Sequence, residues 1–361
     1  MVYTGKNKTA IDTRFKFDVP GRPETLSKFP FRLRMDDMRF KTLFQYRKNM
    51  MAAAIVMILL YHTKGAWPEI ALKKVAAYFY GGVDIFFFAS GIGCFFSYAG
   101  RRDPAAFLGR RCERILPVYV PFMLAWITVE ALGDGIGIPA ALANLFGVHG
   151  FMSVKPAFNW YVSGMWLTYL LTPWLVPLAE KADTRLKGLA GILALLVFSV
   201  AFWGDTELII IVTRLPIFFV GMLFAAGSGR REALTKGELA VMLLLVPVGA
   251  AMLWENPKFF PDLIWDRGLA WYPMMLTTPG ICIAIAAVSD RLSRVSAGRA
   301  FNRAVDALGG LTFEIYLVHF WALEKPWPVF LLMTAGLTAV LHGVSALIRR
   351  EMEKGLSQNA C

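Results

Sequence analysis

Long apolar runs alternate with short clusters of arginine and lysine along this chain, and that alternation leaves few folds open to it. Of the 361 residues, 57% are hydrophobic and only 18% charged, the balance of a polytopic membrane protein. The runs are each about 17 to 25 residues long, the length of helix demanded by a hydrocarbon core of about 30 Å. A backbone facing lipid must satisfy its own hydrogen bonds, and the roughly ten-residue alternation of a membrane β-barrel is absent. The expected fold is therefore all-α: a transmembrane helix bundle of about ten spans, near 49–66, 77–99, 115–133, 159–179, 188–203, 208–227, 239–254, 268–288, 307–324 and 328–348.

A net charge of +12 would suit a nucleic-acid binder, but the placement of the cations argues for a membrane instead. With the N-terminus cytoplasmic, thirty of the thirty-eight Lys and Arg fall on the inner side, and the opposite orientation violates the positive-inside rule at every short loop. Both termini are thus expected in the cytoplasm, in a multi-pass protein of the inner (cytoplasmic) membrane. Residues 1–48 form a basic leader, 49–348 the membrane domain and 349–361 a short tail. The leader lacks the apolar core and cleavage site of a secretory signal. Phe29, Phe31, Leu33 and Met35, set among Arg32, Arg34 and Arg39, either lie on anionic lipid or belong to a disordered segment. Residues 134–158 are too broken by glycine and proline to span, and read as an outer loop or re-entrant segment.

Cys94, Cys112, Cys282 and Cys361 are scattered, with no His at ligand spacing, so neither a disulfide framework nor a metal site is expected. The polar residues inside the spans are more informative, because ionisable groups in a bilayer are costly and tend to be functional. His62 stands fifteen residues beyond Arg47, about 22 Å along a helix, which puts it in the outer half. Asp84, Arg214, Asn159, Trp160 and His319 reach the same level from other spans. On the cytoplasmic side, Arg110, Arg111 and Arg114 gather at the threshold of the third span. Such a cluster either binds phosphate or anchors the protein to lipid headgroups.

Several ordered motifs then carry a resemblance. They are Tyr61-His62; the stretch Gly82-Val83-Asp84-Ile85-Phe86-Phe87-Phe88-Ala89-Ser90-Gly91; Arg110-Arg111 with Arg114-Ile115-Leu116-Pro117; Asn159-Trp160-Tyr161; Arg214-Leu215-Pro216; and Ile315-Tyr316-Leu317-Val318-His319. Together they resemble the acyltransferase type 3 family, integral-membrane enzymes that acylate sugars and polysaccharides. The resemblance implies transfer of an acyl group from cytoplasmic acyl-CoA, acetyl-CoA first and succinyl-CoA as the alternative, to a hydroxyl of a carbohydrate or lipid-linked saccharide. It also implies a catalytic role for His62, paired with an arginine eleven residues earlier. Here that position is Met51. The nearest cations are Arg47 and Lys48, about 60° and 40° around the helix from the histidine's face. The acidic residue that some branches carry five positions after the tryptophan is replaced by Met165.

The residues suit that chemistry. Acyl transfer needs a base, a donor to the developing oxyanion and a site closed to water, and a neutral His62 meets the first need. Asp84 either holds the imidazole in one tautomer or binds acceptor hydroxyls. Arg214 serves the oxyanion or the acceptor, or forms a structural pair with Asp84 or Glu314. Asn159, Trp160 and His319 would contact the acceptor. Arg110, Arg111 and Arg114, with Arg47 or Lys48, would hold the coenzyme's phosphates, and a single channel would join the two levels. No metal and no nucleic acid is expected. The competing class is a transporter or flippase of a lipid-linked sugar or small solute, but its usual repeated halves are missing.

Overall fold

The structure is a computed structural model that describes residues 38–63, 70–152, 154, 159–264, 267–323 and 325–358. Residues 1–37 of the basic leader, with Lys64, Lys155 and Cys361, lie outside the described residues. The remainder is helical. After a short α1 (Phe40–Gln45) come α2 (Arg47–Thr63), α3 (Ile70–Ala76), α4 (Gly82–Ala99) and α5 (Pro104–Leu132). A short α6 (Ile138–Leu145) precedes α7 (Trp160–Lys181), α8 (Arg185–Val200), α9 (Thr206–Val212) and α10 (Leu215–Ser228). The order ends with α11 (Lys236–Phe259), α12 (Tyr272–Leu292), α13 (Ser296–Gly310), α14 (Thr312–Val318) and α15 (Trp327–Gln358). No strand occurs among the described residues; one antiparallel bridge, Arg39 to Ala233, ties the residue before α1 to the loop after α10.

Among the described residues, seven helical stretches are long and apolar enough to cross a membrane: Leu72–Ala99, Pro104–Leu132, Trp160–Lys181, Glu207–Ser228, Lys236–Phe259, Tyr272–Leu292 and Trp327–Lys354. The other three expected spans take a different form. Those at 49–66 and 188–203 are α2, of 17 residues, and α8, of 16. The run 307–324 is not one helix. Its apolar residues are continuous in sequence, but α13 stops at the Gly309-Gly310 pair, α14 adds seven residues, and a 3-10 turn follows from His319 to Ala322.

Helix starts follow local chemistry. Asp103 accepts a hydrogen bond from the Ala106 amide, and Pro104 opens α5, a cap and first-turn proline in their favoured places. Thr235 and Glu238 form a capping box on α11, and Glu238 is also bonded by Arg185 and Arg231. Of the segment 134–158, the described stretch 134–152 folds back on the bundle: Tyr119 donates to the Asn144 carbonyl at the end of α6 over 2.5 Å, and Ser163 bonds both Gly147 and Gly150.

The centre of the bundle is the crossing of α4 and α10. A Cβ added at Gly91 would lie 2.0 Å from the Phe218 carbonyl oxygen, and one at Gly221 would lie 2.2 Å from that of Phe88. The two glycines let the backbones touch, the small-residue packing that holds membrane helices together, while Phe87, Phe88, Phe218 and Phe219 fill the flanks and are buried. Gly221→Ala is therefore expected to lower stability by about 1–3 kcal/mol through overpacking, seen as a drop in the unfolding midpoint in detergent. Gly336→Ala, with open space around it, should leave the midpoint unchanged.

Candidate active site

Two clusters of polar side chains stand at opposite ends of α2. At its last turn the His62 ring lies 5.1 Å from that of His319, 5.1 Å from Phe320 and 5.0 Å from Tyr61, centroid to centroid. His319 is fully buried, and its Nδ1 is 2.7 Å from the Tyr316 carbonyl. A carbonyl only accepts, so Nδ1 carries the proton and Nε2 is left as a bare acceptor. That nitrogen is buried and has no hydrogen-bond partner.

Elsewhere in the bundle, α4 and the start of α10 bring Asp84 and Arg214 to 3.7 Å, each with a side chain 1% exposed. The Arg214 guanidinium lies between the rings of Trp160 and Trp271, at 5.4 and 5.3 Å, and donates to Thr213. Of the pairings open in the sequence, Arg214 takes Asp84, while Glu314 takes His342 at 3.2 Å. Asn159 precedes α7 and is fully buried. Its amide nitrogen bonds the Tyr119 hydroxyl at 2.9 Å, and its carbonyl oxygen has no partner.

At the other end, where α2 begins, a cavity of about 180 Å³ is lined by Arg47, Arg111, Arg114, Arg349, Glu314 and His342, with Ser90, Cys94 and several aromatic rings. Arg47 reaches it because residue 93 is glycine: a Cβ there would meet the guanidinium at 2.2 Å. Arg111 stacks over Phe107 and Tyr169 at 4.9 and 5.5 Å and donates to the Gly93 carbonyl. Its Nε is buried without a partner. Among the described residues no group of three His, Cys, Asp or Glu converges as metal ligands.

A family model for an acyltransferase domain matches residues 50–348, most of the chain. The chain belongs to the acyltransferase type 3 family. Among curated proteins and solved structures nothing matches it. The protein is thus a multi-pass membrane acyltransferase, and its two clusters can be compared with the residues marked in its sequence.

The acyltransferase brings His62 and His319 together, and Asp84, Arg214 and Trp160 together. Arg47, Arg111 and Arg114 share one cavity. Lys48 and Arg110 do not join them. Lys48 is drawn out to Asp306 at 3.0 Å, and Arg110 donates back to the Ser97 carbonyl at 3.0 Å. The reason is helical geometry: Arg111 and Arg114 are a turn apart on one face, and Arg110 is about 100° round from Arg111.

Arg349 and His342 were not marked by sequence reasoning. They are seven residues apart, two turns along one face of α15, and that spacing was the available signal. The expected open channel is also modified. Phe86, Tyr161 and Tyr316 also line the cavity, packed ring to ring at 5.7 and 5.0 Å, and Tyr316 in turn lies 5.7 Å from His319. His62 and His319 lie beyond that aromatic layer and do not line the cavity.

Proposed function

We propose that this acyltransferase moves an acyl group, acetyl in the first instance and succinyl as the alternative, from cytoplasmic acyl-CoA to a hydroxyl of a cell-envelope saccharide, carbohydrate or lipid-linked. The observation that carries the reading is α2 itself. It starts at an arginine of the cavity and ends at the paired imidazoles, about 22 Å away for fifteen helical residues. The positive-inside rule puts the arginine end in the cytoplasm of a bundle of about ten spans, in the inner membrane with both termini inside.

In this scheme Arg47, Arg111 and Arg114 grip the coenzyme's phosphates with planar, charge-assisted hydrogen bonds. The pantetheine arm carries the thioester past the aromatic layer, whose rings turn aside to admit it. His62 takes the proton of the acceptor hydroxyl as its oxygen attacks the thioester carbonyl. The carbon–sulfur bond breaks, and the imidazolium returns the proton to the coenzyme thiolate. Arg214, held by Asp84, offers N–H donors to the oxyanion or the acceptor. Asn159, Trp160 and the bare nitrogen of His319 meet the acceptor's hydroxyls and ring face.

The test is thiol release by purified protein in detergent, supplied with labelled acetyl-CoA or succinyl-CoA, with and without an envelope saccharide fraction. Release that needs the saccharide is the expected result. Arg111→Ala should weaken acyl-CoA binding by about 1.5–3 kcal/mol, the worth of a charged hydrogen bond, or more than tenfold, while acceptor binding is unchanged. An unchanged coenzyme affinity removes the donor site. Movement of a labelled lipid-linked sugar across vesicles without acyl transfer would replace this reading with carriage.

A further inference from the structure

We propose that Arg349, on the last helix, is a phosphate ligand of the arginine cavity and the residue that reads the nucleotide end of the donor. The inference rests on the donor reading above and adds to it a residue from outside the arginine motif. Four guanidiniums line the cavity: Arg47 from α2, Arg111 and Arg114 from α5, and Arg349 from α15. Against them stands one lining carboxylate, Glu314, and it is already engaged by His342 at 3.2 Å.

Like charges this close repel one another, and partial burial strips away the water that would screen them. A polyanion relieves both penalties. Arg349 is placed for it: one amino group of its fork donates to the Arg114 carbonyl at 3.3 Å, which fixes the side chain over the cavity. Its Nε is buried with no hydrogen-bond partner, as is that of Arg111. Two guanidiniums with orphaned donors in one cavity make a site for oxygen atoms that accept in several directions, which describes phosphate.

Position separates the roles of the four. Arg47 and Arg111 meet at Gly93, deep against α4. Arg114 is exposed and Arg349 is tied to its carbonyl, so these two form the rim. The bulky nucleotide stays at the mouth, beside Arg349, and the thin arm goes in.

The experiment measures binding of CoA, inorganic diphosphate and phosphate-free pantetheine to the full-length protein in detergent, for the wild type, Arg349→Gln and Arg349→Lys. Arg349→Gln is expected to raise the Kd for CoA and for diphosphate about tenfold, leaving pantetheine unchanged. Arg349→Lys, which keeps the charge without the fork, should recover part of the loss. Size-exclusion profiles and unfolding midpoints confirm that the variants fold. The proposal is overturned if folded Arg349→Gln binds CoA as the wild type does, or if CoA and pantetheine weaken together. Should the wild type bind diphosphate through Arg349 but not CoA, the phosphate site stands and the coenzyme reading falls.

Discussion

His62→Ala should lower turnover by about 10²–10⁴-fold, the usual contribution of a positioned general base, while Kd for acyl-CoA stays within about twofold of wild type. The separation follows from distance. His62 does not line the arginine cavity, so its loss leaves the coenzyme's phosphates their partners and removes only the proton acceptor. His62→Gln keeps polarity and approximate size without an acceptor of suitable basicity, and should be as inactive as the alanine. His319→Gln is the instructive companion. Its Nδ1 proton is held by the Tyr316 carbonyl; if its bare nitrogen meets the acceptor, as proposed above, the change should affect KM for the acceptor more than kcat. Full turnover in folded His62→Ala would move the base elsewhere and end this mechanism.

Breaking the Asp84–Arg214 pair should have the largest effect on stability of any polar substitution in the bundle. Both side chains are 1% exposed at 3.7 Å, and removing one partner strands the other charge in a medium that cannot solvate it, at a cost of about 3–5 kcal/mol. Asp84→Ala is thus expected to bring the unfolding midpoint down sharply. Replacing both, as Asp84→Leu with Arg214→Met, should restore much of the loss, since a well-packed apolar pair costs little. The double variant should still fail to acylate, because the guanidinium between Trp160 and Trp271 is gone. A stable Asp84→Ala single variant would mean that water reaches the pair, and the buried electrostatic argument would be wrong.

Much of this is legible in the sequence. Helix positions, the imidazole at residue 62 and the arginines after residue 109 follow from apolar run length and from the cost of charge in lipid. What was not legible depends on packing between distant segments. His62 and His319 were each visible, but no periodicity connects residues 257 positions apart. The choice of Arg47 over Lys48 turns on Gly93, whose missing side chain opens a path from a different helix. Arg349 looked like one more cytoplasmic cation, because its role exists only once α15 lies against α5. The run 307–324 differs for another reason: hydropathy sums side chains and cannot see that α13 ends at Gly310, with a bend at Leu311 before α14.

The ring contacts among Phe86, Tyr161 and Tyr316 bear on the cell as much as on the reaction. An enzyme that takes its donor from one face and its acceptor from the other has to be hollow from both sides, and a hollow protein in an energised membrane is a proton leak. In the proposed reaction the tilted, packed rings of Phe86, Tyr161 and Tyr316 would insulate the two halves between turnovers, keeping the potential across the membrane and sparing the thioester from stray water.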